Sequence, residues 1–416
     1  MNKQIYLDYA ATTPVDKRVL EAMVPYFDKN FGNPSSIHSF GAVAREAVEK
    51  GRGTIARLLG IEESGVIFTS GATESNNLMT KGVFRALRSL KKYQGRKLHF
   101  VTTKIEHHCV LDSFAALAED YPNEFEATYL DVDNEGLVNP STLIKEIKNN
   151  TVLVSVMLVN NEVGSVQPLK EIAMALEPIK QGRNKDDLPL YFHSDATQAP
   201  SYFDCNVSEL GLDAITLSAH KIYGPKGVGL LGIKKGVLLK GIQHGGGQER
   251  HMRSGTLNVP GIVGLSKALE LAYAERKENR ERVGKLRDQL IALIEKEISA
   301  VQLNGSKMHR SPNNVNMSFK GVEGEGLVLM LDQAGIAVST GSACSAENLA
   351  PSHVQLAIGN DHLTAHSSIR MSLGKYTTKD DIEHAVAQLK IFVEKLRGIS
   401  RGIDPSAATT AEKGSC

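Results

Sequence analysis

Between residues 60 and 240, strand-like runs alternate with helix-like ones. That alternation calls for a mostly parallel sheet covered by helices on both faces, since parallel strands need long crossovers that pack back onto the sheet. Strands are expected at 66–70, 97–103, 127–130 and 152–159, and again at 191–195 and 212–217. Ligands of such sheets gather at the C-terminal ends of the strands. Thr73, His107, Asn161, Asp195 and Lys221 all fall at that edge.

Three of these strand ends carry chemistry. The alternating run 212–217 leads into Ser218-Ala219-His220-Lys221 and then into Gly and Pro, so Lys221 stands where a strand runs out into a turn. An amine held there can form a Schiff base with a carbonyl if its surroundings keep some of it neutral, although a solvated loop lysine is the common case. The run 191–195 delivers Asp195 to a second strand end. A lysine for an aldehyde and a carboxylate for a pyridinium nitrogen are the two groups a protein supplies to pyridoxal phosphate. At the third, the strand 66–70 meets Gly71-Ala72-Thr73-Glu74-Ser75-Asn76-Asn77, which opens a helix. Free backbone N–H groups and the helix dipole make such a turn an anion site, though many similar turns bind nothing.

A chain of 416 residues is too long for one small core, and one large plus one smaller domain is the natural division. We place the large domain at 15–260 and the smaller at 1–14 with 261–396, leaving 397–416 as a disordered tail of small and polar residues. Charges balance, 48 Lys and Arg against 47 Asp and Glu, so no nucleic-acid or membrane footprint appears. No apolar run is long enough to span a bilayer and the N-terminus lacks a signal-peptide core. Four scattered cysteines (109, 205, 344 and 416) argue against a disulfide framework and a zinc site, and fit a reducing cytoplasm.

Residues 15–28 and 41–59 read as helices, 31–36 and 180–189 as loops. The stretch 245–256, with Arg250 and Arg253, is a basic, hydroxyl-bearing loop that can reach a phosphate. A long helix over 261–297 carries the chain into a small α/β domain: strand 314–319, helix 326–333, strand 368–373 and a last helix that Thr378 and Asp381 open as a capping box. Within it, Cys344 lies among small and polar residues at 339–348, unlike a buried structural cysteine. Arg370, on the final strand, can clamp a carboxylate in a bidentate fork.

Together these motifs resemble the NifS/IscS-like cysteine desulfurases of the class V aminotransferase family. The resemblance runs from Tyr6-Leu7-Asp8-Tyr9-Ala10-Ala11-Thr12-Thr13-Pro14 to about Leu396, through Gly71-Ala72-Thr73-Glu74, Asp195-Ala196-Thr197-Gln198, Ser218-Ala219-His220-Lys221, Arg253-Ser254-Gly255-Thr256 and Gly341-Ser342-Ala343-Cys344. The cysteine loop is similar to that of the NifS/IscS branch and unlike the Suf type. The tail after Arg397 does not resemble the one that docks a scaffold in housekeeping desulfurases.

The resemblance implies α/β fold type I, a mostly parallel seven-stranded-type sheet plus a smaller C-terminal α/β domain, in a cytoplasmic homodimer. It implies pyridoxal 5'-phosphate held by Lys221, with Asp195 on the ring nitrogen, Gln198 on the ring hydroxyl and His107 stacked on the ring as a proton carrier. Ala72, Thr73, Ser218 and His220 would hold the phosphate, with Thr256 arriving from the other subunit. Asn161, Arg370 and Asn33 would orient the substrate. Lys221, once freed, would take the α-proton of L-cysteine. The Cys344 thiolate would attack the substrate sulfur, giving L-alanine and a persulfide for an iron–sulfur scaffold or a tRNA-thiolation enzyme. No intrinsic metal is implied, beyond a cluster that Cys344 could share in passing with a scaffold partner.

Two other readings stand beside this one. The same fold can run an aminotransferase, a β-lyase or a selenocysteine lyase, for which Cys344 is dispensable. A non-catalytic sulfur-trafficking platform needs neither Lys221 nor Asp195. Cys416, last in the chain, is read as an incidental exposed thiol.

Overall fold

The computed structural model describes residues 4–340 and 350–402, the last three by their backbone alone. The chain divides into two compact units. One comprises Thr12–Asn161 and Ser165–Arg280; the other comprises Met1–Ala11, Glu162–Gly164 and Glu281–Cys416. The sequence puts the boundaries at 14/15 and 260/261. No linker marks the passage at 280/281, because the helix Val259–Glu297 runs through it unbroken.

The strands, in chain order, are β1 (Ile5–Tyr6), β2 (Val66–Thr69), β3 (Leu98–Thr103), β4 (Phe125–Leu130), β5 (Thr151–Ser155), β6 (Tyr191–Asp195), β7 (Ala214–Ser218), β8 (Gly229–Ile233), β9 (Val301–Leu303), β10 (Asn314–Phe319), β11 (Ile336–Ala337), β12 (Ser339–Thr340) and β13 (Ser368–Ser372). In the larger unit seven of them form one sheet in the order β2-β8-β7-β6-β5-β3-β4. β8 runs antiparallel to both its neighbours, and the remaining pairs are parallel.

Alternation along each strand sends side chains into two cores. Phe68, Val101, Val154, Phe192, Ile215 and Leu230 face one, with the helix Ser39–Leu59 against it. Ile67, Phe100, Leu153, Tyr191, Ala214 and Leu231 face the other, with the helices Ala72–Arg88 and His108–Asp120. Burial on both faces is why these strands are apolar throughout. β8 has no counterpart in the sequence expectations, because glycines interrupt its apolar pattern. One of them is required: a Cβ on Gly229 would stand 2.7 Å from the Gly71 Cα, so two backbones pass in contact there.

The other unit holds a four-stranded antiparallel sheet among its described residues, in the order β12-β13-β10-β9, and the parallel pair β1-β11. Its last helix opens with the expected capping box: Thr378 N–H donates to Asp381 Oδ2 at 2.9 Å and Asp381 N–H to Thr378 Oγ1 at 3.2 Å. That helix continues to Gly402, past the expected start of the tail.

Several other boundaries shift by one or two residues, and three differences are larger. Residues 15–28 form two helices, Lys17–Met23 and Pro25–Asp28, because Pro25 cannot continue the first. The strand expected to reach Val159 stops at Ser155, and Val159 pairs only with Val166. The first three residues of the expected loop 180–189 are helical instead, since the helix Leu169–Gly182 accepts Pro178 within it.

Candidate active site

The C-terminal ends of β2, β3, β5, β6 and β7 point to one edge of the larger unit's sheet, with Thr73, His107, Asn161, Asp195 and Lys221 following them. β7 ends at Ser218, and a single 3-10 turn, Ala219–Lys221, lifts the lysine off the strand. Lys221 is half-buried. A Cβ built on Gly71 would lie 3.9 Å from Ser218 Oγ, so the end of β7 stands against the turn after β2. Gly71 caps the helix Ala72–Arg88 without a side-chain acceptor, leaving first-turn N–H groups for a ligand. His220 hydrogen-bonds Thr12 Oγ1 through Nδ1 at 3.2 Å. Burial, with the Lys221 and Lys226 charges, pushes it down to about 4, so it acts as a neutral imidazole.

Asp195 ends β6 and is buried. Its Oδ1 accepts the Thr197 N–H at 3.0 Å and its Oδ2 the Asn76 side-chain N–H at 2.7 Å. Asn76 gives its amide nitrogen to the Cys109 sulfur as well, at 3.1 Å. That sulfur lies 3.0 Å from His107 Nδ1. His107 is the N-cap of the helix His108–Asp120, its Nδ1 accepting the Cys109 N–H at 3.1 Å. Nδ1 is therefore unprotonated and the ring proton sits on Nε2. Burial lowers the His107 pKa, the Asp195 charge raises it and the Lys221 charge lowers it further, with a net fall. His107 thus feels the charges of both Asp195 and Lys221. The Cys109 thiol is pushed up to about 12, chiefly by burial and then by Asp195, so it stays a thiol.

Asn76, Cys109 and Glu106 take part in this geometry without a signal in the sequence. The buried Glu106 accepts the Met157 N–H at 2.8 Å and the Thr103 hydroxyl at 2.9 Å, and burial pushes its carboxyl up to about 8. Asn161 and Gln198 are half-buried in the segments that follow β5 and β6. Thr256 and Asn33 are exposed, and the Asn33 side chain accepts the Ser35 N–H at 2.9 Å within a local turn.

Arg370 belongs to the other unit. It is buried on β13, and its Nη2 donates to Asp8 Oδ1 at 2.9 Å. Within that unit lies Glu162, a buried carboxyl pushed up to about 7 by burial, against the pull of the Ser352 hydroxyl that donates to it and of the Arg370 charge. Cys344 and Cys416 lie outside the described residues.

The family model described as aminotransferase class-V matches residues 5–385. The chain belongs to the class-V aminotransferases. It is 48% identical to a cysteine desulfurase IscS of Dictyoglomus turgidum over 96% of this chain and 97% of that one. A solved NifS-like protein superposes with a TM-score of 0.85 at 36% identity, covering 94% of this chain and all 100% of the other. A second structure, SspA in complex with cysteine, gives 0.75 at 34% identity over 90% and 100% of the two chains. The expected fold type I is thereby established, with the seven-stranded sheet as its body. Class-V aminotransferases are pyridoxal-phosphate enzymes, and the residues here suit that coenzyme. An uncapped helix start can take the phosphate and a buried carboxylate the ring nitrogen. Thr197 Oγ1 and Asn76 Oδ1, beside that carboxylate, are buried without a hydrogen-bond partner among the described residues. No helix of the described residues is long and apolar enough to cross a membrane.

Proposed function

We propose that this chain is a pyridoxal-phosphate-dependent cysteine desulfurase that takes sulfur from L-cysteine, leaves L-alanine and holds the sulfur as a persulfide on Cys344. The gathering of Lys221, Asp195 and His107 at one sheet edge carries this reading. The relatives named cysteine desulfurase and the structure titled with cysteine support it.

When bound, the coenzyme supplies a protonated ring that accepts the electrons released at the substrate carbon. Lys221 would hold its aldehyde, and the free Lys221 amine would be the base that takes the α-proton of the substrate. Asp195 keeps the ring nitrogen protonated, and its own two hydrogen bonds fix its plane. His107 presents Nε2–H on the side opposite its cap. Ala72, Thr73, Ser218 and the neutral His220 would hold the phosphate, and Gln198 would bond the ring hydroxyl. Asn161, Arg370 and Asn33 orient the substrate. The Cys344 thiolate forms an S–S bond to the substrate sulfur as the C–S bond breaks towards the substrate carbon, which is then protonated.

We further read the chain as a cytoplasmic homodimer that passes sulfur to an acceptor protein such as an iron–sulfur scaffold. Free, buried Cys109 and Cys205 suit a reducing compartment. An apolar stretch supports the dimer, with Ile37 98%, Phe31 66% and Phe40 54% exposed. Exposed Thr256 is then available to the partner subunit.

The deciding experiment incubates the purified chain with the coenzyme and L-cysteine, measures alanine, and maps extra sulfur by mass spectrometry. Alanine formed in step with sulfur on the Cys344 peptide is expected. Cys344→Ser should then bind L-cysteine but yield no persulfide. Full sulfide release by that variant would favour a lyase.

A further inference from the structure

The basic loop 245–256 does not offer its arginines to an anion. Arg250 Nη2 donates to the carbonyls of Ser64 and Val66, at 2.7 and 2.8 Å. Arg253 turns to Glu74: its Nε donates to Oε1 at 2.8 Å and its Nη2 to Oε2 at 3.4 Å. The loop is fixed in this pose. Glu249 is buried, taking Arg52 at 2.7 and 3.0 Å and the Phe68 N–H at 2.8 Å. Next to that anchor Glu249, Arg250 and His251 follow one another with φ of 47°, 57° and 65°. Three non-glycine residues in the left-handed region persist only where the surroundings hold them.

Glu74 lies in the first turn of the helix Ala72–Arg88, directly after Thr73, and its Oε2 also accepts the Ser70 N–H at 2.7 Å. Glu74 and Arg253 are largely shielded, with 17% and 20% of their side chains exposed. Burial pushes the Glu74 carboxyl up, but Arg253 and Ser70 pull it further down, so it is a fixed anion. A carboxylate beside an uncapped helix start opposes any second anion that docks there.

We propose that Arg253 is a positioning residue of the phosphate seat that acts through Glu74: it cancels the Glu74 charge so that the turn Gly71-Ala72-Thr73 can accept a dianionic phosphate. This rests on reading that turn as the coenzyme's phosphate seat. Glu74 in return ties down the loop that carries Thr256, so one ion pair joins the seat to the loop.

Equilibrium titration of the full chain, stripped of coenzyme, tests this with two probes: pyridoxal phosphate, and pyridoxal, which lacks the phosphate. Arg253→Gln should weaken pyridoxal phosphate roughly 5- to 30-fold, the scale of a partly buried charge at a helix start, and leave pyridoxal unchanged. Glu74→Gln should bind at least as tightly as the natural chain, and the double variant should return to within about threefold of it. A double variant as weak as Arg253→Gln alone would overturn the proposal, because Arg253 would then act on the phosphate itself. Equal weakening of pyridoxal would overturn it in favour of loop collapse, and unchanged affinity in Arg253→Gln would make the pair a passive contact. Inorganic phosphate separates the underlying reading: it should compete with pyridoxal phosphate in the natural chain, and its failure to compete would remove the seat itself.

Discussion

His193, buried inside the sheet, and His107, half-buried at its edge, both have a lowered pKa, yet their partners differ in kind. His193 is saturated by neutral hydroxyls: Nδ1 pairs with Ser155 Oγ at 2.9 Å and Nε2 with Thr216 Oγ1 at 3.0 Å. His99 repeats the pattern with Thr151 and Thr128. His107 has one nitrogen committed to its helix cap, and it feels an aspartate and a lysine. The interior therefore treats histidine as a rigid, uncharged tie. Charges reach the interior rings too, Asp195 at His193 and Lys148 and Glu126 at His99, so what sets the edge apart is the set of hydrogen-bond partners, and a perturbed group points to function only where both ring nitrogens are not already tied to neutral hydroxyls.

The comparison breaks first at Lys221. Replacing an edge charge should remove chemistry and spare the fold. Lys221→Ala should lower cysteine turnover by on the order of 10³-fold or more, the upper range for a proton-transferring group, with little change in thermal midpoint. Substantial residual turnover would take Lys221 out of the reaction. Asp195→Asn comes next, at about 100-fold, because an amide does not hold a pyridinium proton as a carboxylate does. It should also shift the absorbance of bound coenzyme. An unchanged rate and spectrum would separate Asp195 from the ring.

Interior histidines should behave in the opposite way. Burial pushes His193 down to about 4 from an ordinary 6.5, although the Asp195 charge acts to raise it. Above pH 6.5 neither the folded nor the unfolded chain binds this proton, and between 6.5 and about 4 mainly the unfolded chain does. Stability should therefore fall as pH drops through that window. His193→Leu should cost about 1–3 kcal/mol at neutral pH by stranding two hydroxyls, and should flatten the acid slope. Urea midpoints from pH 7 to pH 4 read both effects. An undiminished slope in the variant would place the acid sensitivity elsewhere.

How much of this the sequence could carry follows from the range of each contact. Lys221 and Asp195 are legible because strand, turn and side chain are contiguous. The Thr378–Asp381 box is legible for the same reason. β8 is not, because its Gly229 answers to Gly71, far off in the chain. Asn76 meets Asp195 across 119 positions and Arg253 meets Glu74 across 179, so neither pairing leaves a local pattern. Arg253 reads as a free cation in the sequence and is a bound one in the fold.

Cys109 sits between the two regions and should show the smallest effect. Its sulfur touches Asn76 and His107, which invites a catalytic reading. Its environment argues otherwise. The thiol is buried and held up to about 12, so almost no thiolate exists at neutral pH. The bond that fixes the His107 tautomer comes from the Cys109 backbone N–H, which any residue keeps. Cys109→Ala should thus preserve the cap and lose only a weak sulfur contact, lowering turnover by no more than about threefold. The pH–rate profile should stay in place, since the charges that His107 feels, Asp195 and Lys221 foremost, are untouched by the substitution. A shifted profile would show that the thiol exchanges a proton with His107, and would move Cys109 from scaffold to reaction.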